Sequence, residues 1–406
     1  MLKKVPIGEV KVGMFIHDFN CNWMDHPFAR NRLLVSTEAE VRKILDSGIH
    51  EVYIDTDKGL DAAHAPTVDE AREELERSLL KIASQPKPQP RVSLAEEIDR
   101  AERIKGQASR VVQDVMRDVR LGRAIELDNV EPVVQSITES ILRNPGALMG
   151  LLRIKSKDDY TFLHSVSVCT LMVAFCRSIG MDGEEIRQAG LGGLLHDTGK
   201  ALVPDVILNK PGKLTDAEFD IIKRHPRDGF EILSAMDEIG EIPLDITLHH
   251  HERADASGYP DRLPADQISK LAKMAAVVDV YDAITSDRSY HKGMSAADGL
   301  RKLYEWSSFH FDPPAVQAFV RCIGIYPVGT LVLLQSGRLG VVTEAHESNL
   351  LMPKVNVFFN TTSGHYIKPE EVDLSRPLGS GGADRIERHE SAQKWRVDPA
   401  RFMVIQ

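Results

Sequence analysis

Cysteine is nearly absent from this chain: Cys21, Cys169, Cys176 and Cys322 are the only four among 406 residues, and no two stand in C-x-x-C spacing. That scarcity excludes a disulfide framework and fits reduced core thiols in a reducing compartment. Long apolar runs are missing as well. The opening "MLKKVPIGEVKVGMFIHDFN" has no apolar signal core and no small-residue cleavage site, and no later segment is apolar enough to span a bilayer, so a cytoplasmic protein without a membrane partner is expected. An excess of positive charge is the third absence. With 50 Lys+Arg against 60 Asp+Glu the net charge is -10, which argues against a nucleic-acid polymer as partner and leaves room only for a local basic pocket around a small phosphate ligand.

What is present divides along the chain. The length exceeds one ordinary core, so two or three domains are expected. Residues 1–60 read as a small α+β domain: "GMFIHDF", "RLLVS" and "HEVYIDT" are short strand-like runs, and "TEAEVRKILDSG" is a helix. In that helix Thr37 and Glu40 form a capping box, Val41, Ile44 and Leu45 make the apolar face, and Gly48 is the C-terminal cap. Residues 61–131 are expected to be a linker and connecting helices. They hold the semi-rigid "QPKPQPR" and a charged helix with a stripe through Leu94, Ile98, Ile104, Val111, Val115 and Val119. Helical periodicity dominates 132–325, implying a bundle of packed helices. Residues 326–375 read as a small β-meander and 376–406 as a loosely held tail.

All the candidate chemistry lies in the bundle. His196 and Asp197 in "GLLHDTGK" follow an apolar, small-residue helix that would bury them, and buried charge needs a partner or a metal. The same dipeptide at His17-Asp18, inside a strand-like run, carries no function by itself. His164 stands on an apolar helix with Tyr160, Leu163, Val168 and Leu171, and His225 precedes a proline. Either one alone reads as an ordinary core histidine. Together with His250, His251 and Asp279 they make five histidines and two aspartates in one helical segment, enough for two metal ions. Imidazole and carboxylate without thiolate suit iron or manganese better than a Cys-rich structural zinc site. Asp197 can bridge two metals, which could hold a hydroxide for in-line attack on phosphorus. Lys200, one turn after His196, is placed to neutralise a phosphate oxygen.

These residues resemble the HD-GYP subgroup of the HD phosphohydrolase superfamily, the cyclic di-GMP phosphodiesterases of bacterial signalling. The resemblance runs from about Lys155 to Phe319 and rests on "AGLGGLLHDTGKALVPDVILNKPGKLT", "RHPRDGFEIL", "HHERADASGYPDRLP" and "VVDVYDAITSDRSY". The N-terminal residues resemble a domain of unknown function that often precedes HD-GYP. The resemblance implies a mainly α, HD-type bundle with a dimetal site formed by His164, His196, Asp197, His225, His250, His251 and Asp279. It further implies phosphate contacts from Lys200 and Arg288, iron as the first choice of metal and manganese as the next, and hydrolysis of cyclic di-GMP to linear pGpG and/or GMP by a metal-bridging hydroxide. Gly258, Tyr259 and Pro260 are the name-giving loop, which the family places near the site and in contact with diguanylate cyclase (GGDEF) domains. A homodimer is compatible with this reading.

The chain departs from the family pattern in three places. Tyr160 stands where some members carry a glutamate for a third metal, so two metals are expected. Ala254-Asp255-Ala256 replaces the usual Trp-Asp-Gly before the loop. His291 replaces a basic phosphate-binding residue, with Lys292 adjacent as its substitute. Glu252 or Asp255 is placed to orient a metal ligand, and His249 has no assigned role.

Overall fold

The computed structural model describes residues 1–20, 32–83, 90–153, 160–210, 212, 214–236, 238–286, 293–345, 352–376, 384–390 and 392–403. The "QPKPQPR" connector therefore lies largely outside the described residues. The chain forms two compact units, one from Met1–Lys81 and one from most of the remainder.

In the first unit, strands β1 (Leu2–Pro6), β2 (Phe15–Asp18), β3 (Leu33–Leu34) and β4 (Glu51–Asp55) make an antiparallel sheet in the order β1-β4-β2-β3. Alternation sends Val5, Ile16, Val52 and Ile54 into a core shared with Val41 and Ile44 of helix α1 (Glu38–Leu45). The Thr37/Glu40 capping box is formed, and Gly48 has a φ of 74°. Leu45 does not join the apolar face expected for it: it is 43% exposed, because it lies 100° round the helix from Ile44 and the sheet covers only a narrow stripe. Helix α2 (Val68–Ala83) follows.

The second unit is helical: α3 (Leu94–Arg120), α4 (Leu127–Arg143), α5 (Pro145–Arg153), α6 (Tyr160–Ser178), α7 (Gly183–Leu195), a 3-10 turn (Thr198–Leu202), α8 (Asp205–Leu208), α9 (Asp216–Ile222), α10 (His225–Ser234), α11 (Glu241–His249), α12 (Lys270–Thr285), α13 (Ala296–Trp306) and α14 (Pro313–Ile323). The helix expected as a connector, α3, packs along α4, α5 and α6. Its buried ridge runs through Glu97, Ala101, Ala108, Val112, Val115 and Val119, whereas Leu94, Ile98, Ile104 and Val111 are half-buried. Small alanines let the neighbouring helices approach, so they and not the larger side chains face inward. α6 is no amphipathic helix either: from Leu163 to Cys176 every residue is buried, which makes it the central helix of the bundle. Burial pushes the thiols of Cys169 and Cys176 on this helix above their ordinary pKa, so both remain protonated. Among the described residues no helix is long and apolar enough to cross a membrane.

A five-stranded antiparallel sheet follows, from β5 (Leu331–Leu334), β6 (Arg338–Glu344), β7 (Lys354–Asn360), β8 (His365–Asp373) and β9 (Ile386–His389), in the order β8-β7-β6-β5-β9. The stretch read as a loose tail thus supplies an edge strand, with Val332 opposite His389. Asp384 anchors it by accepting hydrogen bonds from the Ser336 hydroxyl and from Arg338. A short helix, α15 (Ala392–Trp395), comes after it.

Candidate metal centre

Five chain segments bring the candidate ligands to one point inside the bundle. His164 comes from the first turns of α6, His196 caps the C-terminus of α7, Asp197 opens the 3-10 turn, His225 starts α10, His250 and His251 end α11, and Asp279 lies in the middle of α12. Close backbone approach makes this possible at Gly199. A Cβ there would collide with the His225 carbonyl and lie 2.6 Å from the Gly229 nitrogen, so only glycine lets the turn after Asp197 press against α10.

The ligand atoms fall into overlapping groups. His164, His196 and Asp279 form one, His225, His250 and His251 a second, and His196, Asp197 and His250 a third, with the atoms of each group within 4.8 Å of one another. Asp197 stands between the first two: one oxygen is 3.6 Å from His164 Nε2 and 3.4 Å from His196 Nε2, and the other is 3.3 Å from His225 Nε2 and 3.9 Å from His250 Nε2. Asp279 faces His164 Nε2 at 3.0 Å and His251 Nδ1 at 3.8 Å. Six of the seven residues are buried, and His251 is half-buried.

Backbone and side-chain acceptors fix how the rings point. Nδ1 of His196, His225 and His250 each donates to a backbone carbonyl, of Gly193 at 2.8 Å, Ile222 at 2.7 Å and Thr247 at 2.9 Å. A carbonyl can only accept, so each Nε2 carries its lone pair toward the centre. Nδ1 of His164 is held in the same way by Asp282 Oδ2 at 2.7 Å. His251 is turned the other way, with its ring stacked against Tyr259 at 4.6 Å between centroids and 29° between planes.

Charge states suit a cation. Burial, reinforced by neighbouring histidines, keeps His250 and His251 neutral with pKa values well below the usual, and burial also lowers His225. Burial disfavours ionised Asp197 and Asp279. The histidines around both, with Lys200 beside Asp197, outweigh it and hold the two carboxylates well below their ordinary range. For His164 burial works against the charged form, yet Asp279 and Asp282 prevail and raise its pKa. Two buried atoms, His196 Nε2 and Asp197 Oδ1, have no hydrogen-bond partner among the described residues. Orphaned lone pairs in a buried cluster are costly, and a divalent ion held by nitrogen and oxygen donors would satisfy them. The residues present fit a metal.

The remaining expected site residues are placed as follows. Lys200 Nζ lies 2.6 Å from Asp197 Oδ2, at the edge of the cluster. Gly258, Tyr259 and Pro260 form a turn over His251, with a Tyr259–Pro260 cis peptide. A Cβ on Gly258 would come within 2.6 Å of the His251 carbonyl oxygen, so the loop folds back onto the histidine pair only with glycine there. Arg288, His291 and Lys292 lie outside the described residues. Tyr160 opens α6 one turn before His164, and its side chain is likewise outside them.

Glu252 and Asp255 do not orient ligand rings as expected. Glu252 is buried and accepts the backbone N–H groups of Asp261, Arg262 and Leu263 at 2.7, 3.1 and 3.0 Å, pinning the chain beyond the Gly-Tyr-Pro turn. Asp255 pairs with His310 at 3.1 Å and with the Ser257 hydroxyl at 2.6 Å. The orienting carboxylate is Asp282, which sequence reasoning missed. Its signal was its place three residues after Asp279 in the apolar "VVDVYDAIT", on the same side of the helix. His249, left without a role, donates its Nδ1–H to the Asp245 carboxylate at 2.7 Å outside the cluster.

Residues 149–315 match the family model of the HD domain, and residues 2–130 match that of a domain of unknown function, DUF3391. A cyclic di-GMP phosphodiesterase of Pseudomonas aeruginosa is 46% identical over 397 residues, which cover 97% of this chain and 94% of that protein. A cyclic di-GMP phosphodiesterase response regulator of Xanthomonas campestris is 38% identical over 203 residues, covering 49% of this chain and 53% of its own. A 3'3'-cGAMP-specific phosphodiesterase of Vibrio cholerae is 33% identical over 170 residues, covering 41% of this chain and 39% of its own. A likeness that extends over nearly the whole of both chains, N-terminal domain and histidine-aspartate cluster included, leaves one assignment: the chain belongs to the HD-domain family of cyclic di-GMP phosphodiesterases.

Proposed function

We propose that the protein hydrolyses cyclic di-GMP in the cytoplasm, adding water across a P–O3′ bond to give linear pGpG, with a second cleavage giving GMP. The observation that carries this reading is the placement of Asp197 between the two triads His164/His196/Asp279 and His225/His250/His251. His164, His196 and Asp279 would hold one divalent ion and His225, His250 and His251 the other, with Asp197 placed to serve both. Iron is the first candidate and manganese the next, because the donors are imidazole and carboxylate. When bound, the metals supply Lewis-acid chemistry, neutralising phosphate charge and lowering the pKa of water.

The chain's own residues do the rest. Nδ1–H bonds to carbonyls and to Asp282 hold the imidazoles in the ligating tautomer before any ion arrives, so little reorganisation accompanies binding. Apolar walls from α6 and α12 exclude bulk water and strengthen every charge interaction in the site. Lys200 brings a cation to the rim, where it exchanges Asp197 for a phosphate oxygen of the substrate. Arg288 and Lys292 are assigned to the substrate phosphates. Gly258, Tyr259 and Pro260 serve both as the wall over His251 and as the contact for a GGDEF-domain partner. Residues 132–325 are the catalytic domain in this reading.

The test is turnover by purified protein loaded anaerobically with Fe(II) or Mn(II), with products followed by chromatography. Wild type yields pGpG or GMP. The double variant His196→Ala, Asp197→Ala loses turnover by at least about a thousand-fold, loses bound metal, and keeps its helical circular dichroism. Binding of cyclic di-GMP without product in fully metallated wild type overturns the enzyme reading in favour of a sensor.

A further inference from the structure

Behind His164, on the Asp282 side of the ring, α5, α6 and α12 enclose a cavity of about 30 Å³. It has room for about two water molecules. Met149 and Leu171 are apolar walls, and the polar lining comes from all three helices. Arg153 ends α5, Ser167 lies one turn after His164 on α6, and Asp282 and Ser286 lie one turn apart at the end of α12. Arg153 Nη1 donates to the Tyr281 hydroxyl at 3.2 Å. Arg153 Nε and the Ser167 hydroxyl are buried and have no hydrogen-bond partner among the described residues. Asp282 Oδ2 accepts from His164 Nδ1 at 2.7 Å and stands 3.5 Å from the Ser286 hydroxyl.

Buried donors without acceptors are costly, and here two of them share a small space with a carboxylate. A guanidinium N–H can only donate and an ionised carboxylate can only accept, so whatever joins them must do both. Water does. A polar cavity that offers a water molecule two to four partners is where buried water is held, and a bridge through it is nearly as favourable in enthalpy as a direct hydrogen bond. The cavity is so small that its polar lining atoms stand within one or two water lengths of one another, and it has no room for a nucleotide. A carboxylate has about four lone-pair sites, so Asp282 can accept from the cavity while it holds His164. Arg153 thereby grips α12 at two successive residues, Tyr281 directly and Asp282 through water.

Resting on the reading that the histidine-aspartate cluster holds divalent metal, we propose that Arg153 and Ser167 are positioning residues for the ligand His164: through about two buried water molecules they donate to Asp282, which fixes the imidazole by Nδ1. The chain of bonds runs from α5 and α6 through water to α12 and back to α6. It holds Nε2 of His164 toward the cluster without contact between Arg153 and the reacting atoms.

The test is a double-mutant cycle with Asp282 in the full chain, read as Mn(II) affinity by competition with a chromophoric chelator. Arg153→Met removes the donors and should weaken Mn(II) binding about ten-fold, and Ser167→Ala about three-fold. Arg153→Lys can still donate to water and should stay within about three-fold of wild type. In the Asp282→Ala background Arg153→Met and Ser167→Ala should each cost less than about two-fold, because the carboxylate through which they act is gone. At saturating Mn(II), Arg153→Met should turn over cyclic di-GMP with the wild-type KM. Unchanged Mn(II) affinity in folded Arg153→Met overturns the proposal. Equal losses with and without Asp282 also overturn it, since they mean a packing role. A raised KM at full metal occupancy overturns it in favour of a substrate contact. Should Arg153→Met lose its helical circular dichroism, Ser167→Ala runs the same cycle, and unchanged affinity there is decisive against the proposal. Wild type that binds no Mn(II) defeats the parent reading instead, before any variant is compared.

Discussion

His164 Nδ1 lies 2.7 Å from Asp282 Oδ2, while His164 Nε2 lies 3.0 Å from Asp279 Oδ1. Two carboxylates one helical turn apart on α12 thus grip opposite sides of one imidazole. Asp279 meets the nitrogen that faces the cluster, and Asp282 sets the ring from behind. Removing the second partner of a ligating histidine typically costs 10- to 100-fold in metal affinity. Asp282→Ala is therefore expected to weaken Mn(II) binding by about that factor, and Asp282→Asn, which still accepts from Nδ1–H, by less. Competition against a chromophoric chelator measures both. Equal affinity in wild type and Asp282→Ala would remove the carboxylate from the ligand's support.

Where the site was readable in the sequence, it was readable because each polar side chain sits in apolar surroundings. His196, Asp197 and Asp279 interrupt runs of Leu, Val, Ala and Gly, and no turn or cap explains a histidine pair such as His250-His251. Asp282 was hidden because an acid near a helix end reads equally well as solvated. Glu252 was misread for a different reason. Its neighbours His250 and His251 suggested a role toward the metal, but its carboxylate bends to three backbone N–H groups nine to eleven residues away, a contact that local spacing does not encode. The same limit applies to β9, whose pairing with β5 spans more than fifty residues, and to α3, whose inward ridge is set by small alanines instead of by its largest apolar side chains.

Glu252 gives a stability prediction. It is 2% exposed, and its two oxygens accept from three backbone donors. Glu252→Ala leaves those donors stranded, at about 1–3 kcal/mol for each one that water cannot reach. A total loss of about 3 kcal/mol is expected, with faster amide exchange confined first to residues 258–263. Glu252→Gln keeps one acceptor and falls between. Urea unfolding and hydrogen exchange report the two effects, and a loss below 1 kcal/mol with unchanged exchange would count against the pinning role.

Ala256 replaces the glycine usual before the loop and adopts φ 59°. A left-handed conformation costs an L-residue roughly 1–2 kcal/mol, while glycine adopts it freely and loses more chain entropy on folding. The balance favours Ala256→Gly by about 0.5–1 kcal/mol. The variant should raise the urea midpoint without changing metal content. A lowered midpoint would mean that the methyl group makes packing contacts worth more than the strain.

Glu97 and Arg143 tie the start of α3 to the end of α4 through two hydrogen bonds, Nε to Oε2 at 2.7 Å and Nη2 to Oε1 at 2.9 Å. Glu97 is fully buried while the Arg143 side chain is 27% exposed. Burial disfavours the carboxylate, but the Arg143 hydrogen bonds outweigh it and hold the Glu97 pKa below its ordinary value. A carboxyl group with a lowered native pKa binds protons more readily when the chain is unfolded. Its stabilisation is therefore fully present above the unfolded value, about 4.3, and is lost as the pH falls through the lower native one. Glu97→Gln should cost about 2 kcal/mol at pH 7, less than a wholly buried pair because Arg143 keeps contact with water. It should also flatten the acid limb of stability against pH, so that wild type and variant begin to converge as the pH falls below the unfolded value and meet only below the native one. Urea titrations of the metal-free protein between pH 3 and pH 7 test this directly: a constant difference across that range would show that the loss comes from packing rather than from the charge on Glu97.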